Sequence, residues 1–140
     1  TFLVLNGDLL TDLDYSAMLA QHRSSRARVT IGLYERTHQV AFVVVQTDAD
    51  DCVQDYIEKP SYDYLVSMGV YVMEPEVLEL IEPGEKLDLP ALVRRLLDHG
   101  MQVHSYRHRG YWLDIGRPDD YERAQVDFST MRARLLGESD

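Results

Sequence analysis

Four consecutive apolar residues, Phe2-Leu3-Val4-Leu5, stand at the head of the chain and give way abruptly to Asn6-Gly7-Asp8. A run with no polar alternation predicts a strand covered on both faces, as the strands of parallel sheets are. Parallel strands need crossover connections, and the sequence supplies helical segments to make them. Asp14 is placed to cap a helix from about Tyr15 to Arg23, closed by Ser24-Ser25. Arg28 to Tyr34 alternates and is β-branched, which predicts a second strand. Val40 to Gln46 and Val53 to Ile57 flank the acidic turn Asp48-Ala49-Asp50-Asp51 and read as a hairpin. A further strand is expected over Leu65 to Met73, interrupted by Gly69.

The second half is more helical. Pro75 suits the first turn of a helix over Glu76 to Ile81. Asp88 can cap Leu89 to His99, where Leu89, Leu92, Val93, Leu96 and Leu97 recur at helical spacing, and Gly100 is placed as its terminating glycine. Short strands are expected at Val103 to Tyr106 and Tyr111 to Leu113, followed by a helix from Pro118 past Phe128. The interleaving predicts an α/β fold with a mixed, mainly parallel sheet flanked by helices and one β-hairpin. The expected organisation is one structural portion over residues 1–128 and a charged C-terminal tail over 129–140.

Charge and composition narrow the functional classes. The 140 residues carry 24 acidic and 14 basic side chains, a formal net charge of −10. That balance argues against nucleic-acid binding, which requires basic surface to displace counterions. Bound phosphate remains compatible, because a metal or a few local cations outweigh a global field. The single cysteine, Cys52, offers neither an internal disulfide nor a thiolate metal cluster, and points to a reducing compartment such as the cytoplasm. Apolar runs are too short for a membrane span, so no membrane partner is expected.

Three segments carry candidate chemistry. In Asn6-Gly7-Asp8, the glycine admits close backbone approach and Asp8 presents a hard oxygen suited to Mg²⁺. The alternative is a turn aspartate that caps nearby amides. Tyr111-Trp112-Leu113-Asp114-Ile115-Gly116 again sets an aspartate after a short apolar strand. Asp114 reads as a second metal carboxylate, as the cap of the helix near Pro118, or as an ordinary turn residue. Trp112 reads as a core or pocket-wall residue. Glu58-Lys59-Pro60 follows a strand and combines an acceptor for hydroxyls, a compact charge for phosphate and a rigid turn, although exposed charge pairs at strand ends are common. Gly69 marks either a bulge or the close approach of a ligand.

The order of these pieces resembles the sugar-phosphate nucleotidyltransferase family, which includes mannose-1-phosphate guanylyltransferases and glucose-1-phosphate thymidylyltransferases. The resemblance rests on Asn6-Gly7-Asp8, Glu58-Lys59-Pro60, Met68-Gly69-Val70-Tyr71, Asp88-Leu89-Pro90 and Gly110 to Tyr121, and extends over about residues 2–128. Trp112-Leu113-Asp114-Ile115-Gly116 followed by Pro118-Asp119-Asp120-Tyr121 is its most specific part. The resemblance implies a partial Rossmann-like nucleotidyltransferase domain. It implies that Asp8 and Asp114 hold a catalytic Mg²⁺, that Lys59 contacts the sugar phosphate, that Glu58 bonds sugar hydroxyls, and that Gly69 borders the sugar. The implied substrates are a sugar 1-phosphate and a nucleoside triphosphate, the implied products a nucleotide-sugar and pyrophosphate.

Two departures qualify it. The glycine-rich nucleotide-binding segment that opens family members is not matched, so roughly a hundred residues, about a domain's length, are expected to precede Thr1. On that expectation the 140 residues alone are inactive, and exposed strand edges and uncovered core surface favour self-association into a homo-oligomer. Ser67 also stands where many relatives have Asn, which implies a changed sugar contact. The alternative reading is a non-catalytic regulatory or assembly subunit of the same fold, against which the presence of Asp8, Lys59 and Asp114 speaks.

Overall fold

The computed structural model describes residues 1–137. Its order is β1 (Phe2–Leu5), β2 (Leu9–Thr11), α1 (Tyr15–Ser25), β3 (Val29–Gln39), β4 (Val44–Thr47), β5 (Val53–Ile57) and β6 (Ser61–Met73). A 3-10 helix, Pro75–Leu80, then leads to α2 (Leu89–Asp98), β7 (Val103–His108), β8 (Trp112–Asp114) and α3 (Pro118–Leu136). The residues divide into two compact units. One comprises 1–34 and 67–140, the other 35–66. The chain leaves the first unit within β3 and re-enters it within β6.

The first unit is built on a mixed sheet of order β1-β6-β3-β7. β1 runs antiparallel to β6, with Phe2 opposite Met73 and Leu5 opposite Val70, whereas β7 runs parallel to β3, with Val29 opposite Val103. Side-chain alternation along β6 divides the core between the two faces of the sheet. Tyr71 and Met73 join Val29, Val77, Leu92 and Leu96 on one face, beneath α2 and the 3-10 helix. Met68, Val70 and Val72 join Leu13 and Met18 on the other, beneath α1 and β2. A strand buried on both faces reads as a continuous apolar run, and Met68 to Met73, broken only by Gly69, is such a run.

The opening strand corrects the expectation drawn from its sequence. β1 has β6 as its only partner among the described residues and forms an edge. Phe2 and Val4 pack into the core, while Leu3 and Leu5 are 43% and 47% exposed. Antiparallel pairing at the sheet edge with one covered face explains the pattern.

The helices follow their end signals. Asp14 accepts from the Ala17 amide at 2.9 Å and Asp88 from the Ala91 amide at 2.8 Å. α2 ends in a Schellman turn: the amide of Gly100, at φ 67°, donates to Leu97 O and that of Met101 to Leu96 O, both at 3.0 Å. α2 buries Leu92 and Leu96, each worth about 1.5–3 kcal/mol of transfer free energy. Leu97, which the periodicity assigned to the same face, is 54% exposed. The segment after Pro75 forms a 3-10 rather than an α-helix, with no side-chain cap at its start. α1 turns inward on His22, whose Nδ1 lies 2.8 Å from Thr30 Oγ1 and whose Nε2 lies 3.1 Å from Glu74 Oε1. A carboxylate only accepts, so Nε2 carries a proton toward Glu74.

The second unit is the hairpin β4–β5, with Val44 opposite Ile57 and a register shift at Gln46/Thr47, together with the outer parts of β3 and β6. Its acidic turn is organised by Asp48, whose carboxylate accepts from the amides of Asp50 and Cys52 at 3.0 Å and from Gln54 Nε2 at 2.7 Å. α3 continues to Leu136 across a kink at Met131, and Gly137 closes it at φ 64°, so most of the residues expected as a tail from 129 are helical until then. The last three residues of that tail lie outside the described residues.

One ion pair gives the first unit a defined acid sensitivity. Arg95 grips Glu85 with both guanidinium arms, at 2.5 and 2.8 Å, and also donates to Leu80 O. Arg95, with a second bond from the Glu82 amide, pulls the Glu85 carboxyl down to about 2. A depressed carboxylate stabilises the fold fully above its unfolded value and loses that contribution as pH falls through its folded value. Thermal melts of Glu85→Gln should therefore fall below wild type at pH 7, and the difference should shrink between about pH 4.5 and 2.

Candidate active site

Asp8 and Asp114 are 106 positions apart in sequence and are brought together by one short antiparallel ribbon. β2 pairs with β8 through Leu9 opposite Asp114, Leu10 opposite Leu113 and Thr11 opposite Trp112. The Ile115 amide donates to Asp8 O at 2.8 Å, so both aspartates stand at the same end of the ribbon. β2 escaped the sequence reading because three residues, Leu9-Leu10-Thr11, carry too little periodicity to separate from the turn before them.

Neither aspartate serves as a cap. The residue before α3 is Arg117, with no side-chain cap bond, so Asp114 does not cap that helix. Asp14, Asp48 and Asp88 each accept backbone amides, but among the described residues neither Asp8 nor Asp114 has a hydrogen-bond or ion-pair partner for its carboxylate. Both are exposed. Among the described residues no group of three or more His, Cys, Asp or Glu side chains forms a metal cage. Two open carboxylates without a third protein ligand fit Mg²⁺, which is held through one or two carboxylates and keeps water and substrate phosphate in its shell.

Gly69 faces the same region from β6. The Asn6 amide donates to Gly69 O at 2.9 Å, and Gly69 adopts φ 72°. A Cβ there would stand 2.5 Å from Asn6 Nδ2 and 2.7 Å from its Cγ. The glycine is required by the left-handed backbone and by Asn6, a residue that sequence reasoning treated only as part of a turn. Ser67 is drawn into the same network: its Oγ accepts from the Gly69 amide at 3.2 Å and lies 3.0 Å from Tyr71 Oη. Trp112 packs against the core, with Nε1 donating to Met68 O at 3.2 Å and its ring 5.3 Å from that of Tyr34. Two open clefts, of about 580 and 440 Å³, lie elsewhere in this unit, one beside Asp12 and Arg134, the other beside Ser67 and Arg94.

Glu58 and Lys59 belong to the second unit, in the bend between β5 and β6, and both are exposed. Lys59 takes φ 45°, the left-handed region that non-glycine residues seldom occupy. The predicted set therefore divides, with Asp8, Gly69 and Asp114 in one unit and Glu58 and Lys59 in the other.

The loss of space at Gly69 is measurable. Gly69→Ala is expected to lower the unfolding free energy by about 1–3 kcal/mol in urea titrations. Adding Asn6→Gly should recover the part due to the clash but leave the part due to φ.

Comparison with known proteins completes the assignment. The chain is 36% identical over 135 residues to a mannose-1-phosphate guanylyltransferase of Mycobacterium tuberculosis, covering 91% of this chain and 36% of that protein. It is 34% identical over 131 residues to a UTP–glucose-1-phosphate uridylyltransferase of Synechocystis, covering 89% and 34%. The chain thus spans about a third of the length of these curated relatives. Its fold matches the crystal structure of HddC from Yersinia pseudotuberculosis with a TM-score of 0.60 at 23% identity, over 91% of this chain and 55% of that one. Residues 1–130 match the family model for nucleotidyl transferases, and the chain belongs to that family.

Proposed function

We propose that this chain carries the metal and sugar-phosphate side of an enzyme that transfers a nucleotidyl group from a nucleoside triphosphate to a sugar 1-phosphate. The observation that carries the reading is the pair of unpartnered carboxylates, Asp8 and Asp114, at one end of the β2–β8 ribbon. Family membership supports the reaction class. A scaffold subunit has no use for two open carboxylates at one end of a ribbon.

In this reaction an oxygen of the sugar phosphate attacks the α-phosphorus. A P–O bond forms there, the bond to the bridging oxygen breaks, and pyrophosphate leaves with that electron pair. The phosphate is itself the nucleophile, so no protein nucleophile is needed, and Cys52 and the five histidines stay outside the chemistry. When bound at Asp8 and Asp114, Mg²⁺ supplies charge neutralisation for the phosphate oxygens. Lys59 contacts the sugar phosphate by its compact charge, Glu58 accepts from sugar hydroxyls, and the Gly69 backbone borders the sugar. Alignment and fixed charge do the catalytic work.

Mn²⁺ added to the ¹⁵N-labelled chain should broaden the amide signals of Asp8, Leu9, Asp114 and Ile115, and Asp114→Asn should abolish the effect. Broadening centred on the Asp48–Asp51 turn instead would overturn the site. In a full-length protein carrying this chain, pyrophosphate release should require a sugar 1-phosphate, with mannose-, glucose- and heptose-1-phosphate as first substrates. There, Asp114→Asn should lower turnover by about 10²-fold or more without changing the melting temperature.

Lys59 offers a separate test, because its backbone conformation and its charge make opposite demands. Asparagine tolerates the left-handed region well, so Lys59→Asn should leave stability within about 0.5 kcal/mol of wild type or raise it. The same substitution should raise the KM for the sugar phosphate and lower turnover. An unchanged KM would remove Lys59 from the substrate contacts.

A further inference from the structure

A second cluster of ionisable groups lies at the opposite end of the β2–β8 ribbon from Asp8 and Asp114, and the proposed chemistry makes no use of it. Its centre is Asp12, the residue after β2, whose side chain is 9% exposed. Its Oδ1 accepts from the Tyr111 amide at 2.6 Å and lies 2.9 Å from His108 Nε2, and its Oδ2 pairs with the Arg134 guanidinium. His108 Nε2 also lies 3.1 Å from Tyr111 O. Both partners of that nitrogen are acceptors, so it carries the proton. The Asp12 amide donates to Tyr111 O at 3.3 Å, and Thr11 Oγ1 donates to the same oxygen at 2.8 Å.

These contacts tie three elements to one carboxylate: the end of β7 through His108, the entry to β8 through Tyr111, and α3 through Arg134. They also account for Gly110. A Cβ at that position would stand 2.2 Å from Asp12 Oδ1 and 2.6 Å from His108 Cε1. Burial would raise the Asp12 carboxyl, but the Tyr111 amide, Arg134 and His108 together hold it below the usual carboxylate value. With its oxygens so engaged, Asp12 is not itself available as a metal ligand.

A ribbon of three pairs is marginal by itself, and a slip of one residue would turn Asp114 to the other face. Asp12 continues the ladder by one rung, facing Tyr111, and fixes that rung through its side chain as well as its backbone. We infer that Asp12 is a positioning residue, which locks the register of β8 on β2 and thereby keeps Asp114 opposite Leu9, at the end of the ribbon where Asp8 stands. The inference deepens the proposed metal site and rests on that reading for its consequence in catalysis, but the register lock itself does not require a metal.

Two measurements on the chain separate these points. Without metal, hydrogen exchange of the Ile115 amide, which donates to Asp8 O, reports the far end of the ribbon. Asp12→Ala should reduce its protection about tenfold or more while the β3–β7 amides keep theirs. With Mn²⁺, Asp12→Ala should weaken binding at Asp8 and Asp114 by about 10-fold or more. Asp12→Asn, which still accepts from the Tyr111 amide, should restore most of both signals. Gly110→Ala, which displaces the carboxylate without deleting it, should act in the direction of Asp12→Ala and serves if that variant fails to fold. Normal Ile115 protection in folded Asp12→Ala or Gly110→Ala would overturn the inference. A wild-type chain that binds no Mn²⁺ at the pair would instead overturn the metal site, with the exchange result still deciding the role of Asp12.

Discussion

The antiparallel contact between β2 and β8 is the constraint on which the candidate site depends. Only three residue pairs define it, yet it joins segments separated by most of the chain. Bringing such distant segments together costs chain entropy that three backbone pairs alone do not offset. The surrounding structure supplies the remainder. Leu9 and Trp112 pack on the buried cluster of Leu13, Met18 and Met68, and the Trp112 indole donates to Met68 O. Asp12 fastens the end remote from Asp8 and Asp114. The ribbon is therefore held by packing along its length and by a buried carboxylate at one end, while Asp8 and Asp114 at its other end are exposed.

β6 connects that ribbon to the rest of the first unit. Its alternate side chains feed the two faces of the sheet, so a change on this strand is felt by both cores. Gly69 lies within this rigid stretch, where Met68, Val70 and their successors are almost wholly buried. Asn6, at the end of β1, is pressed against Gly69 and bonded to its carbonyl. The loop that carries Asp8 thus begins from a fixed point in the core. Site and core share one strand, which is a physical reason for the left-handed glycine at their junction.

Much of this was legible in the sequence, for reasons that differ from element to element. Capped helices announced themselves: Asp14, Asp88 and Gly100 are short-range signals whose chemistry is complete within a few residues. The strand character of Met68 to Met73 was visible because burial on both faces leaves a continuous apolar run. The same rule misled at Phe2 to Leu5, since a run of four does not reveal whether a neighbour covers the second face. β2 was invisible because its three residues become a strand only through β8, a contact made across the whole chain. Asp12 gave no signal for the same reason: its partners His108, Tyr111 and Arg134 are about a hundred residues away. Asp8 and Asp114 stood out as aspartates that follow short apolar runs, and their placement at one end of a ribbon came only with the β2–β8 pairing.

The distribution of charge gives the site its meaning. A chain with net charge −10 is a poor general binder of phosphate, and long-range attraction cannot bring a triphosphate to it. The structure answers part of that charge internally: Asp12 with Arg134 and His108, Glu85 with Arg95, and Asp14, Asp48 and Asp88 with backbone amides. Asp8 and Asp114 are brought to one end of a ribbon with none of these answers among the described residues. On the proposed reading, two carboxylates at one end of the ribbon suit a divalent cation that also takes phosphate oxygens into its shell. Metal and phosphate binding would then be coupled, because the cation neutralises the phosphates that a chain of this charge would otherwise repel. The acidity that argues against phosphate binding by the bare chain would, at this one place, recruit the cation that makes it possible.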